Sequence, residues 1–376
     1  ASWGGRAKPQ KLKLPDILEL GPSTGSGQAI EKEKKLEEER RLFFVALTRA
    51  KNALTISYAE NYEFRATTAT RFIAEIEPDL LEFSRAPEAG FAALPLAGQQ
   101  KFSLDTQKFL ASLLEEFRLS PTALNNFLAC PRKFLFQNLL RLPTKISVDE
   151  RLGQIFGTAV HAAFEAFFRE YKNSGKLPKV EIALESLQKS LRREPLTQSQ
   201  FAAVERDAES AIEKYLASHP DLPPPVDVEF NFARHEVRLD DIPLTGKIDR
   251  IDPIPETAKE VRFIDYKSMA PLTPAAIRGE TVNSTGDSYR QLLFYKMLAE
   301  LDSRFIFEPR ELVLSFVRPD KKGEFRDEKF SPQKAEIEEL KKTIRESWAK
   351  IQKLEFDCDD CADCRKCDFK NICGRN

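Results

Sequence analysis

The sequence predicts an α/β fold with a central mixed sheet flanked by helices, plus a small separate N-terminal segment. Three observations predict it. Helical periodicity fills most of residues 121–218; three strand-like runs follow at 226–238, 243–252 and 260–267; helix, strand and helix patterns then occupy 286–301, 311–317 and 331–354. With 376 residues, the chain has enough length for two or three domains and a sizeable core.

From the start, residues 1–20 are basic and contain proline without a clear period. The opening Ala1-Ser2-Trp3-Gly4-Gly5-Arg6 has no initiator Met and reads as the interior of a longer chain. Residues 21–27, Gly21-Pro22-Ser23-Thr24-Gly25-Ser26-Gly27, have flexible-linker composition and resemble an engineered joint. They do not form a phosphate loop, because Gln28-Ala29 stand where Lys-Ser/Thr would be required. A charged helix is predicted over 28–50, an alternating strand over 53–58 and a short helix over 69–76. These elements assign residues 1–85 to a first unit, 86–119 to a linker and 120–376 to the main domain. Within that domain, helices are predicted at 121–141, 153–173, 181–193 and 197–218. Asp252-Pro253-Ile254-Pro255 then separates the second and third strands as a hairpin loop would.

Composition is nearly neutral, with 58 basic and 59 acidic residues, so any nucleic-acid contact must come from local patches. No run of 18 apolar residues and no basic-then-apolar leader occurs, which excludes a membrane helix and a secretory signal from the reading. The 28 Phe residues read first as core filling. Five of the six cysteines crowd the final nineteen residues, a spacing that favours metal or iron–sulfur ligation over a disulfide framework.

The chemistry concentrates in two strands. Leu244-Thr245-Gly246-Lys247-Ile248-Asp249-Arg250-Ile251-Asp252 places charge where a buried strand would hold apolar groups. Val261-Arg262-Phe263-Ile264-Asp265-Tyr266-Lys267 ends in Asp-x-Lys, and the strand period of two puts both charged side chains on one face. If the strands pair, Asp249 and Asp265 converge, and two carboxylates at strand ends suit Mg²⁺ or Mn²⁺. Such an ion polarises phosphate and lowers the pKa of bound water, while Lys267 orients that water or neutralises transition-state charge. Alone, Asp-x-Lys is most often a surface pair; the charged strand upstream shifts that balance.

These motifs resemble the RecB-family nuclease domain of the PD-(D/E)xK superfamily, which implies a restriction-endonuclease-like core. Gly157-Thr158-Ala159-Val160-His161 matches its upstream Gly-x-x-x-His, and Gln291-Leu292-Leu293-Phe294-Tyr295 matches its downstream Gln-x-x-x-Tyr. The resemblance implies His161, Asp249 and Asp265 as metal ligands, Lys267 as catalytic, and Gln291 with Tyr295 as supports for the site and the DNA backbone. Bottom-up, Gln291 and Tyr295 share a helix face at four-residue spacing. His219 and His235 match nothing and read as structural or exposed, and Glu229 is a further carboxylate on the first strand.

The tail also resembles the iron–sulfur subgroup of that family, typified by the AddB nuclease. Cys364, Cys367 and Cys373 match its C-x2-C-x5-C trio, with Cys130 as the distant fourth ligand. The resemblance implies a [4Fe–4S] cluster, with zinc as the alternative because a four-cysteine site serves it equally well. Cys358 and Cys361 are surplus to the pattern. Bridging residue 130 to the tail would staple the domain's two ends together.

Residues 37–51, ending Leu47-Thr48-Arg49-Ala50-Lys51, resemble the last conserved motif of UvrD-like superfamily 1 helicases. That resemblance implies a γ-phosphate contact for Arg49, but the chain has no Walker A motif, so it should not hydrolyse ATP alone. Together the resemblances imply a bacterial, cytoplasmic helicase–nuclease for double-strand break repair. Its partners would be DNA ends, the rest of the motor and a second subunit. The competing reading is a catalytically silent DNA-end-binding scaffold.

Overall fold

The structure, a computed structural model, describes residues 27–49, 54, 56, 61–62, 65–66, 69–82, 102–144, 147–358, 364, 367–370 and 372–373, with 27–35, 61–62, 65–66 and 78 as backbone alone. It divides into two units, Ala1–Gly90 and Phe91–Asn376.

In the first unit, helix α1 (Gly27–Thr48) is followed by a two-stranded antiparallel ribbon, β1 (Asn61–Tyr62) and β2 (Arg65–Ala66), and a 3₁₀ turn over Arg71–Glu75. Phe43 packs on Phe72 with centroids 5.7 Å apart, and Arg40 donates from Nε to Glu75 at 2.7 Å. The helix expected at 69–76 is thus the tighter 3₁₀ form. Of the strand expected at 53–58 only Leu54 and Ile56 are among the described residues, and neither is in a strand; of the linker at 21–27 only Gly27 is, and it opens α1.

The second unit begins inside the segment read as a linker. Helix α2 (Leu104–Glu115) starts there because Ser103 accepts from the Thr106 amide and Leu110 is buried. The helix expected over 121–141 is broken. α3 (Pro121–Ala129) stops at Cys130, whose φ of −165° is extended, as a residue before proline prefers. Short α4 (Pro131–Lys133) and a π-helical turn over Phe134–Leu139 follow. α5 (Val148–Ser174) opens on a Ser147/Glu150 capping box and ends at left-handed Gly175. α6 (Glu181–Leu191) and α7 (Gln198–Ser218) complete that layer, the latter with a Thr197/Gln200 capping box.

The first strand is shorter than expected. β3 (Asp227–Asn231) ends where the Asn231 side chain accepts from the Ala233 amide and turns the chain into a 3₁₀ step. A small ribbon follows, β4 (Arg238–Leu239) with β5 (Ile242–Pro243). Then come β6 (Lys247–Pro253), β7 (Glu260–Lys267), α8 (Pro274–Arg278), α9 (Asp287–Leu301), β8 (Glu308–Phe316), β9 (Asp327–Phe330) and α10 (Lys334–Gln352).

The main sheet is five-stranded and mixed, in the order β3-β6-β7-β8-β9. β7 and β8 are parallel, joined through α8 and α9, and the other neighbours are antiparallel. Both faces are covered. Phe164, Phe168 and Tyr215 of α5 and α7 pack with Ile264, Tyr266 and Val313, whereas helices α3, α9 and α10 meet Phe263, Leu312 and Leu314. Central β7 buries Val261, Phe263, Ile264 and Tyr266 between the two layers, with charge at its amino end in Glu260 and Arg262 and at its carboxyl end in Asp265 and Lys267.

Phe134 fastens the start of this unit to its end. It is fully buried, with the rings of Phe117, Phe127 and Phe356 at 5.4, 5.6 and 6.1 Å. Phe134→Ala should cost about 3–5 kcal/mol, read as a lower denaturant midpoint; an unchanged midpoint would contradict this packing.

Candidate active site

The site forms where β6 and β7 stop pairing. Their last pair at this end is Arg250↔Ile264, so the next opposed positions are Asp249 and Asp265, both buried at 7% and 3% exposure. The Tyr266 amide donates to Asp249 Oδ2 at 2.9 Å. On the other side of β6, Glu229 lies between the pairs Val228↔Arg250 and Phe230↔Ile248, opposite Asp249. Its φ of +57° is left-handed, a cost of about 1–2 kcal/mol for a side chain other than glycine.

α5 crosses this point and places His161 Nδ1 3.5 Å from Asp249 Oδ1. Ligand atoms of His161, Glu229 and Asp249 all lie within 4.8 Å of one another. The structure thus brings His161, Asp249 and Asp265 into one cleft, but the compact trio contains Glu229 in place of Asp265. Asp265 is turned to Lys267, whose Nζ stands 2.7 Å from Oδ2. That contact lacks hydrogen-bond geometry, and Oδ2 is buried without a hydrogen-bond donor. Glu229 pairs with Lys247 at the cleft edge.

α9 supplies the opposite wall. Lys267 Nζ donates to Gln291 Oε1 at 2.8 Å, and Gln291 Nε2 donates to the Tyr295 hydroxyl at 2.7 Å. A side chain with one ammonium is thereby held between a carboxylate and an amide. The start of α9 is set by two glycines with positive φ, Gly279 and Gly286; a Cβ on either would come within 2.8 or 2.9 Å of the other segment's backbone. Gly246 opens β6 against the same helix, where a Cβ would meet Leu298 Cδ1 at 2.7 Å. The cleft measures about 630 Å³ and is also lined by Thr122, Gly157, Thr158, Glu165 and Lys247.

The electrostatics follow from burial and like charge. Burial lifts the Asp265 carboxyl above the usual range more than adjacent Lys267 offsets, and Asp249 adds to the rise. Burial likewise raises Glu229, against the pull of Lys247. For His161, burial lowers the pKa, but the Asp249 contact and the charges of Asp265 and Glu229 outweigh it, leaving a net rise. A cleft that favours protonation of its own acids and base is short of positive charge, which a divalent cation would supply.

The cysteines lie elsewhere. Cys130 separates α3 from α4, and Cys367 and Cys373 pack against the same hydrophobic core. Burial raises the Cys373 thiol, buried Arg132 pulls it down, and Cys130 and Cys367 act on it as neighbours. Cys358 is buried and disulfide-bonded, which sets it apart from the other four; Cys361 is outside the described residues. His219 stacks on Tyr215 at 4.2 Å beside Asp327, and His235 pairs with buried Asp302, so both are structural. Arg49 is exposed just beyond α1.

Residues 118–374 match the PD-(D/E)XK nuclease superfamily, and the chain belongs to it. Residues 17–61 match the UvrD-like helicase C-terminal domain. A DNA helicase II from Haemophilus influenzae is 38% identical over 93 residues, covering 23% of this chain and only 13% of that relative. A crystal structure of a protein from Eubacterium rectale, provisionally designated an exonuclease, aligns over 71% of this chain and 93% of its own at 14% identity and a TM-score of 0.40. The two family matches together place a PD-(D/E)XK nuclease domain and a UvrD-like helicase C-terminal segment in one chain.

Sequence reasoning offered Glu229 only as an added carboxylate near the site, not as a ligand beside His161 and Asp249, and it gave buried Arg250 no role. The signal for the second was present as charge inside a strand.

His161 must be neutral to ligate, and its raised pKa keeps it protonated above its ordinary 6.5. Mn²⁺ affinity should therefore fall as pH drops from about 8 to about 6, measured by calorimetry, and His161→Ala should flatten that dependence. An identical pH profile in the variant would contradict the role of His161. At fixed pH, Glu229→Gln should weaken Mn²⁺ binding by about tenfold or more; unchanged affinity would leave the carboxylate ligands as Asp249 and Asp265 without Glu229.

Proposed function

We propose that this chain is the cutting end of a helicase–nuclease, a Mg²⁺- or Mn²⁺-dependent deoxyribonuclease acting on single-stranded DNA ends, with exonuclease action expected, in double-strand break repair. The observation that carries this is the meeting of Asp249, Asp265, Lys267 and His161 at the parting of β6 and β7. The donor set fits a hard divalent cation: carboxylates and one imidazole converge, and the buried Asp265 carboxylate is met by the Lys267 ammonium. When bound, such an ion polarises the scissile phosphate and makes hydroxide accessible at neutral pH.

The chain's own residues do the rest. Asp249 and Asp265 would hold the ion, with His161 and Glu229 available from the flanking α5 and β3. Lys267 would present its ammonium to the attacking water or to charge developing on phosphate. Gln291 and Tyr295 would keep that ammonium aimed into the cleft, away from solvent, and offer polar groups to the DNA backbone. Thr122 and Thr158, exposed on the cleft wall, are further phosphate donors.

For the cysteines we propose a [4Fe–4S] cluster on Cys130, Cys364, Cys367 and Cys373, zinc being the rival. Support comes from their spacing and from the influence of Cys130 and Cys367 on Cys373. Its role would be a staple between the unit's start and its tail. Residues 1–85 would be the end of a motor whose phosphate loop lies outside this sequence, so Arg49 has no ATPase function here. In the bacterial cytoplasm the complete assembly would unwind DNA and feed the cleft, alone or with a second subunit.

Asp265→Ala or Lys267→Ala should abolish Mn²⁺-dependent cleavage of single-stranded DNA while leaving the circular dichroism spectrum unchanged. Cutting at the unaltered rate by either variant would overturn the assignment. The purified protein should be brown, absorbing near about 400 nm; a colourless sample with stoichiometric zinc would establish the rival.

A further inference from the structure

A buried ion pair lies next to the cleft but outside its lining. Arg250 and Asp252 are 2% and 0% exposed. Arg250 Nη2 donates to Asp252 Oδ2 at 2.9 Å and Nη1 to the Tyr266 hydroxyl at 2.6 Å, and its guanidinium stacks 4.2 Å from the Phe168 ring centroid. The pair is incompletely satisfied: Arg250 Nε and Asp252 Oδ1 have no hydrogen-bond partner. Buried pairs of this kind are often no more stabilising than well-packed apolar residues of the same volume, so stability is a weak reason for one here. What a guanidinium fork supplies and apolar packing does not is direction.

That direction is spent on Tyr266, which sits between Asp265 and Lys267 in the chain. Its amide holds Asp249 Oδ2 at 2.9 Å. Its ring meets the His161 ring edge-on at 6.0 Å and packs on Phe164 at 4.6 Å. Tyr266 thus touches two of the groups that would ligate the ion, one through its backbone and one through its ring. Arg250 also belongs to the last β6–β7 pair, opposite Ile264, one position before the two carboxylates part.

We propose that Arg250 is a positioning residue for the metal site, locking the Tyr266 hydroxyl so that Asp249 and His161 are held in ligating geometry. The proposal rests on the metal-dependent nuclease reading above. Arg250 touches neither ion nor substrate and acts through Tyr266 alone. A merely structural Arg250 would change thermal stability and leave the ion affinity of folded molecules as it was.

The test is Mn²⁺ binding by calorimetry and by Mn²⁺ electron paramagnetic resonance, on this chain, well below the melting temperature of each variant. Tyr266→Phe removes only the hydroxyl and keeps the ring and the amide, so it should fold. Arg250→Met combined with Asp252→Leu removes the pair without stranding a charge. Both should bind Mn²⁺ about 10- to 100-fold more weakly than the parent protein, and Tyr266→Phe should lose kcat on single-stranded DNA more than it raises KM. Parent-like Mn²⁺ affinity in Tyr266→Phe would overturn the positioning role, whatever happens to the melting temperature. If the parent protein binds no Mn²⁺, or Asp249→Ala binds it as well as the parent, the metal-site reading has failed and the proposal falls with it.

Discussion

The molecule's chemistry depends on the register of β6 against β7. Because the ladder ends at Arg250↔Ile264, the next opposed residues are two buried aspartates, Asp249 and Asp265. Burial and the neighbouring Asp249 charge make Asp265 reluctant to ionise. The surroundings read as answers to that problem: the Tyr266 amide on Asp249, the Lys267 ammonium on Asp265, the His161 imidazole beside Asp249. A one-residue slip would send each carboxylate to the other face of the sheet and dismantle all three contacts.

The sheet's two covered faces make this point reachable from both sides. α5 delivers His161 from one layer, and α9 delivers Gln291 and Tyr295 from the other. Burial then does the electrostatic work. It raises the Asp265 and Glu229 pKa values against their lysine partners, and neighbouring carboxylates raise His161 against burial. Glu229 adds a left-handed backbone at the cleft edge, a conformation shared among the described residues with Arg141, Glu236, Asp240, Glu256 and Leu354 away from the cleft.

Much of this was legible in the residues, for local reasons. Asp265 and Lys267 share a face because strand side chains alternate, and Gln291 and Tyr295 share one because helices return every four residues. The bodies of α5 and α7 followed from their apolar period, but the Ser147/Glu150 capping box that starts α5 at Val148, ahead of the expected 153, was passed over. What could not be read depends on contacts distant in sequence. β9 has four residues and pairs at the sheet edge; α2 lies in a Pro-flanked stretch and is fastened mainly by Leu110. The rank of Glu229 as a ligand depends on its standing opposite Asp249 across a strand pair. The break at Cys130 was readable from Pro131, but the apolar period running through 121–141 outweighed it.

The most direct measurement is anomalous diffraction from crystals of this chain grown with Mn²⁺. A peak within ligating distance of Asp249, with His161 and either Glu229 or Asp265 completing the protein ligands, is the result this account predicts. A peak elsewhere, or none at saturating Mn²⁺, would contradict it.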